Sequence, residues 1–551
     1  MKQTSIFLLL FLAGSLITQA QVLGGENQGY DRGDTLRGSL RAERAFDVLK
    51  YHLQVRVNPE ERYISGSNTI TFEAEEHLPV MQIDLFENME IDSIVHRKRQ
   101  LEYNREYNAV FIDLERPVQK GAKDSIQIFY SGNPLVAKNA PWDGGFVFNK
   151  DENGDHWIAV AVQGTGASLW YPNKDHQSDE PEEVLTEIEV PTGLMNVSNG
   201  RLVGEKDLGD GYTRWSWKVT NPINNYNIVL NIGNYVHFSD TYKSDDHSDL
   251  DLDYYVLPYN LEKAKEQFEE VKPMMDCFYE KFGEYPFVED GFTMVETPYL
   301  GMEHQSAVAY GNEYKMGYLG KDLSGTGIGL KWDFIIIHES GHEWYGNSIT
   351  ARDIADMWIH EGFTSYSEAV YIECRWGKDE ALAYLKGIRS GIGNENPVIG
   401  DYGVNRKGSG DMYPKGANLL NTIRSIYDDD KLWWETLKDY TLAFKHQIIT
   451  TEITEQFFDN VTEVDLKPVF DQYLRHANLP ELEFKKVNGK TSYRWKADVE
   501  DFEMPVDILV NGKVQRLHPI SQWKELPAEI RPGDIEIDEN KFYIKTNLTA
   551  L

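Results

Sequence analysis

His338, Glu339 and His342 stand in the order H-E-x-x-H within WDFIIIHESGHEWYGNSITARDIADMWIHEGFTSYSEAVY, residues 332–371. On an α-helix, residues four apart share a face, so both imidazoles project side by side and can reach one metal ion. Glu339 falls about 100° round the helix from His338. That offset suits a carboxylate that works on water beside the metal as a general base, and not one that binds the metal.

Two imidazoles leave a zinc ion short, because a catalytic site takes three protein ligands and keeps one position open. Glu361 supplies the third. Eighteen residues separate it from His342, enough to end the first helix, turn through Gly346-Asn347-Ser348 and begin a second helix running back beside it. On that second helix Glu361, Ser365 and Glu368 fall at i, i+4 and i+7 and share a side. Phe334-Ile335-Ile336-Ile337 before His338 marks a buried helix, where unpaired imidazoles would be costly. A metzincin arrangement would need Gly at 345 and His at 348, and the chain has Tyr345 and Ser348.

These helices need a scaffold, and the composition is that of an ordinary globular protein, with 41% hydrophobic and 26% charged residues in 551. That length provides for two to four domains. A formal net charge of -34, spread along the chain, argues against nucleic acid as a partner. Residues 1–20, with one Lys, an apolar run from Ile6 to Ile17 and small residues before Gln21, have the layout of a signal peptide. The apolar run is shorter than a membrane span requires. An extracytoplasmic protein, periplasmic or secreted, is therefore expected. Cys277 and Cys374 are the only cysteines; in an oxidising compartment they pair or remain buried thiols, and spacing does not choose. Asn196, Asn460 and Asn547 each begin an Asn-x-Ser/Thr triplet.

From about Phe46 to Tyr235 the pattern is β-rich, with Tyr51, Leu53, Val55 and Val57 alternating with polar residues. A Gly-rich polar stretch from Val160 to Pro181 interrupts it and carries Gln163, by composition a solvated loop glutamine. Leu261 to Phe282 reads as an amphipathic helix. Phe292 to Tyr310 then alternates like a strand around Gly301-Met302-Glu303-His304, next to the metal helix. Beyond the metal residues, Tyr413-Pro414 opens a helix with Pro at its first position, and helical patterning continues from Phe457 to Leu474. After Leu479-Pro480, short strands with Asn488-Gly489 and Asn511-Gly512 turns suggest a small β-sandwich.

Taken together, HExxH with Glu361 eighteen residues on, WIHEGF around Glu361, GMEH at 301–304, YPKGA around Tyr413 and the Gln163 loop ending in DEP resemble the zinc aminopeptidases typified by aminopeptidase N and the leukotriene-hydrolase-type enzymes. The resemblance covers nearly the whole chain after residue 20. It implies a multidomain α+β protein: an N-terminal β-saddle over residues 21–240, a thermolysin-like, mainly α catalytic domain over 241–478, and a C-terminal β-sandwich over 479–551. It also implies one zinc ion held by His338, His342 and Glu361, with Glu339 as base and Tyr413 as donor to the oxyanion. Gly301, Glu303 and Gln163 would bind the substrate, the last two through its free α-amine, so the partners are peptides with a free N-terminus. His304, His360, Glu343 and Pro414 depart from the family pattern without removing a group that does chemistry. The large helical C-terminal domain of longer members has no counterpart in the pattern after 479, which implies a more open cleft.

The function expected is therefore that of a zinc aminopeptidase. A thermolysin-like endopeptidase shares the metal constellation and would differ at Glu303 and Gln163. A non-catalytic peptide-binding protein on the same scaffold would lack Glu339 or a ligand.

Overall fold

The alternating residues of Phe46–Asn58 form one long strand that pairs antiparallel with Tyr63–Ala74, Tyr51 opposite Ile70, and parallel with Glu183–Pro191. In the computed structural model, which describes residues 29–244, 247–487, 490–527, 530 and 535–547, this strand lies inside an 8-stranded sheet. Its inward residues Tyr51, Leu53, Val55 and Val57 are buried, as the period-two pattern requires. A 3-stranded and a 4-stranded sheet complete the N-terminal β region. The 4-stranded sheet matters for the site, because its strand His156–Ala161 ends just before Gln163.

A 5-stranded sheet follows, formed by β1 (Val236–Tyr242), β2 (Leu250–Val256), β3 (Phe292–Glu296), β4 (Gly301–Met302) and β5 (Val308–Tyr310). Its order is β1-β2-β3-β5-β4, which puts Gly301 and Met302 on an edge. Strand β1 crosses the boundary expected at residues 240 and 241, because it pairs along its whole length with β2. The amphipathic stretch from Leu261 is interrupted. A helix at Leu261–Gln267 gives way to a 3-10 turn at Phe268–Glu270 before α1 (Val271–Lys281). Pro273 offers no N–H to continue the first helix and is tolerated in the first turn of the next.

Helices α2 (Phe334–Gly341), α3 (Trp358–Trp376) and α4 (Pro414–Tyr427) build the centre of the helical region. Helices α3 and α4 approach closely where two glycines meet: a Cβ on Gly416 would lie 2.7 Å from Gly362 Cα. A C-terminal pair of sheets follows, with 4 and 3 strands. Asn511 and Gly512 take φ of 50° and 75°, the left-handed pair that a two-residue hairpin demands; Asn488-Gly489 lies outside the described residues. Trp495, Val506 and Ile508 of these sheets, with Phe502 between their strands, are buried in continuity with the helical core.

Cys277 of α1 and Cys374 of α3 form a disulfide, so of the two alternatives left by their spacing the paired one is realised. The bond closes a 97-residue separation and ties down the helix that carries Glu361. Constraining so long a loop in the unfolded chain stabilises by about 2–4 kcal/mol. A Cys277→Ser, Cys374→Ser double variant is expected to melt several degrees lower in calorimetry, and reductant should not shift its melting temperature further. Asn196 is buried and donates to Ser198 Oγ at 3.0 Å, so it is no acceptor for a glycan in the folded chain. The expected signal peptide, residues 1–20, lies outside the described residues, as do Leu548 and Thr549 of the last triplet. No helix among the described residues is long and apolar enough to cross a membrane.

Candidate active site

Helix α2 starts where it does because Asp333 caps it. The buried carboxylate accepts from the backbone N–H groups of Ile335 at 3.0 Å and Ile336 at 3.3 Å. Tyr310 Oη at 2.7 Å and Asn312 Nδ2 at 2.8 Å also donate to it. Ile335, Ile336 and Ile337 bury the helix against the core. One turn on, His338 and His342 bring their rings to 5.0 Å between centroids, His342 being the capping residue in helical conformation.

Each imidazole is oriented through Nδ1. His338 Nδ1 donates to Glu368 Oε1 at 2.7 Å, and Tyr384 Oη donates to the other oxygen of Glu368. His342 Nδ1 donates to the Tyr345 carbonyl at 2.9 Å. Such partners fix the tautomer and leave the Nε2 lone pairs free. Both face Glu361, which sits in the first turn of α3 where the helix dipole favours a carboxylate. Glu361 Oε2 lies 3.3 Å from His342 Nε2 and 3.8 Å from His338 Nε2.

This set fits zinc. Glu361 Oε2 is buried with no hydrogen-bond partner among the described residues, while its Oε1 accepts from Tyr413 Oη at 2.9 Å and Gln163 Nε2 at 3.1 Å. One carboxylate oxygen is thus held and the other left bare toward two imidazole lone pairs. Two His nitrogens and one carboxylate oxygen are a known donor set for catalytic zinc.

Glu339 points into the same cleft, and burial pushes its carboxyl up to about 7. The edge strand passes so close that a Cβ on Gly301 would lie 2.8 Å from Ile335 Cγ2 and 2.9 Å from Glu339 Oε1. Only glycine permits that approach. Tyr413 reaches the site because it stands at the start of α4, one turn before the glycine crossing with α3. Burial and the neighbouring Glu361 raise its hydroxyl well above the ordinary tyrosine value, so it remains a donor.

Glu303 and Gln163 meet at one end of the cleft, Gln163 Nε2 donating to Glu303 Oε1 at 2.5 Å. Gln163 is therefore not a solvated loop residue. Its loop is pinned by buried contacts, among them Lys174 Nζ to Asp179 Oδ2 at 2.5 Å and the Asp84 N–H to the Asn173 carbonyl at 2.8 Å. The backbone of Glu303 is held by Asn347 Nδ2, which donates to its carbonyl at 2.8 Å; Asn227 in turn donates to Asn347 Oδ1 at 2.8 Å. Glu343 braces the next turn, accepting from the Ser306 N–H at 3.0 Å and Tyr285 Oη at 2.8 Å. Burial pushes its carboxyl to about 8. His304 is fully buried, and burial takes its imidazole down to about 3. His360 accepts the Ala351 N–H at 2.8 Å through Nε2.

All eight residues singled out in the sequence thus line one cleft of about 410 Å³. Asn347, Tyr345, Thr364, whose Oγ1 lies 3.1 Å from His342 Nδ1, and Tyr384, which orient them, carried no such assignment. Asn347 follows the glycine after the metal helix, and the others contact the ligands only through the packed fold.

The architecture, an N-terminal multi-sheet β region, a helical region and C-terminal sheets, is similar to that of solved M1 zinc metallopeptidases. Residues 259–473 match the model of the peptidase family M1 domain. The leucyl aminopeptidase of Saccharolobus solfataricus is 21% identical over 381 residues, 65% of this chain and 47% of that protein. Human glutamyl aminopeptidase is 22% identical over 339 residues, 58% and 34% of the two chains. The chain spans about half the length, or less, of the curated relatives it matches. Among solved structures, the M1 zinc metallopeptidase from Deinococcus radiodurans superposes with a TM-score of 0.66 at 18% identity, over 81% of this chain and 98% of that one. A variant of it bound to a Tyr-Ser-Ala substrate gives 0.66, over 80% and 96%. At this identity the likeness concerns the fold.

Proposed function

We propose that the chain is a zinc-dependent aminopeptidase that releases N-terminal residues from peptides with a free N-terminus, one ion being held by His338, His342 and Glu361. A zinc ion held by these three residues would lower the pKa of water and polarise a carbonyl at neutral pH. Glu339 takes the proton of the attacking water and delivers it to the leaving nitrogen, a role suited to a carboxyl that burial has moved to about 7. Tyr413 donates to the substrate oxygen as negative charge develops there. Asn347, through the Glu303 carbonyl, holds the strand end at the amine site.

The observation that carries this reading is the contact of Gln163 with both Glu303 and Glu361. The Glu303 carboxylate, an anionic acceptor, lies one side chain away from Glu361, and this supports the reading. A free α-amine, with an ordinary pKa near 8, is mostly cationic at neutral pH and needs such a partner when desolvated. An internal peptide nitrogen does not. The substrate is thereby registered so that its first peptide bond meets Glu339. Placement outside the cytoplasm is part of the proposal and is supported by residues 1–20 and by the disulfide, a bond of oxidising compartments.

The test compares aminoacyl p-nitroanilides and short peptides with their N-acetylated forms. Free-amine substrates should be cleaved from the N-terminus and acetylated ones left nearly intact. Glu303→Ala should lower kcat/KM on the free-amine substrates about 50-fold, the effect of removing one partner of a buried charge pair. Internal cleavage of acetylated peptides at rates equal to N-terminal trimming would make the protein an endopeptidase.

A further inference from the structure

The carboxylates Glu303, Glu339, Glu361 and Glu368 line the cleft, and Lys407 is the one Lys or Arg among its described lining residues. We propose that Lys407 is a specificity-determining residue that pairs with the side-chain carboxylate of an aspartate or glutamate at the substrate N-terminus. The proposal rests on the aminopeptidase reading and names its substrate class.

Lys407 is partly buried, and among the described residues it has neither a hydrogen bond nor an ion pair. The chain has 55 Lys and Arg against 89 Asp and Glu, and Lys407 stands out among them as the one that lines this carboxylate-rich cleft. Its neighbour Arg406, by contrast, faces Asp34 at 3.7 Å. The backbone beneath Lys407 is well held: a Cβ on Gly408 would lie 1.8 Å from the Val398 carbonyl oxygen, and the Gly400 N–H donates to the Ala355 carbonyl at 3.1 Å. The ammonium group therefore hangs from a fixed base into the cleft.

Its position selects the first residue of the substrate over the rest. A Cβ on Gly164 would lie 4.0 Å from Lys407 Nζ, and Gly164 directly follows Gln163, which touches Glu303. The ammonium thus stands beside the amine site. The cleft also extends toward the start of α2, where Phe334, Ile335, Tyr318, Leu323 and Ile388 make an apolar lining. That end lies toward the opposite end of α2 from Asn347 and the Glu303 carbonyl it holds, so it receives the leaving part of the peptide. An acidic first residue carries a cation and an anion a few bonds apart. Glu303 and Lys407 match that pair with opposite signs, and a charge-assisted hydrogen bond to the carboxylate is stronger than a neutral one. A basic first residue would meet repulsion.

The experiment uses the zinc-loaded full chain with α-glutamyl and glutaminyl p-nitroanilides, which differ in charge and hardly in shape. It adds alanyl tripeptides ending in a free carboxylate or an amide. Wild-type enzyme should favour glutamyl over glutaminyl by about 10-fold or more in kcat/KM. In Lys407→Ala that ratio should fall to about one, and in Lys407→Glu it should invert, with lysyl substrate gaining. A wild-type ratio near one, or a preference that survives Lys407→Ala, overturns the proposal while leaving the aminopeptidase reading intact. So does a Lys407→Ala effect confined to the acid-versus-amide tripeptides, which would mean that the residue meets the peptide's far end. If no free-amine substrate is trimmed while acetylated peptides are cut internally, the aminopeptidase reading itself fails and the proposal falls with it.

Discussion

Glu339→Gln is expected to lower kcat on the order of 10,000-fold while the protein still binds its metal. The fall is the upper range for loss of a positioned general base. Glutamine keeps the size and most of the contacts of the side chain, including the approach to Gly301, but accepts no proton at neutral pH. His338 Nε2, His342 Nε2 and Glu361 Oε2 converge, and a Glu339 oxygen also lies within 4.8 Å of ring nitrogens of both histidines, so metal content is what separates base from ligand. His342→Ala should behave differently. It removes a ligand, so metal and activity should disappear together, because two ligands rarely retain a catalytic ion. Elemental analysis of the two purified variants beside their turnover separates the roles. A Glu339→Gln protein without zinc would mean that base and ligand have been misassigned.

Tyr413→Phe should lower kcat between about 100- and 1,000-fold, with KM little changed. The hydroxyl donates to the substrate oxygen only as charge builds there, so its loss raises the barrier and leaves ground-state binding nearly as it was. A purely structural tyrosine gives another pattern. Its hydroxyl bond to Glu361 Oε1, at 2.9 Å, is one of two holding that oxygen. If this were its whole role, Tyr413→Phe would loosen the metal or lower the melting temperature in step with the rate. Zinc content and calorimetry on the variant distinguish the two cases. Unchanged zinc and stability with a large fall in kcat is the expected result.

The candidate metal site was largely legible in the sequence because its geometry is local. Helical periodicity alone puts His338 beside His342 and sets Glu339 off to one side. The same periodicity put Glu368 on the face of Glu361, where it turns out to orient His338. The strands of the N-terminal region were equally plain, since alternation reports which face is buried, and the Asn511-Gly512 turn follows from backbone chemistry.

Other features depended on contacts between distant segments. Gln163 and Glu303 are 140 residues apart, and a loop glutamine carries no local sign that it will be buried against a glutamate. The break near Glu270 had a local sign in Pro273, but the hydrophobic pattern continuing through it reads as one helix. Pairing of Cys277 with Cys374 required α1 and α3 to be neighbours, and the orienting roles of Tyr345, Thr364 and Asn347 required the packed core around the ligands. Lys407 is in sequence an ordinary lysine in a loop; only the folding of that loop against Gly164 brings its charge beside Gln163 at the cleft. Periodicity within one helix or strand thus determined which side chains share a face. Packing between elements, which no local pattern encodes, decided which faces meet.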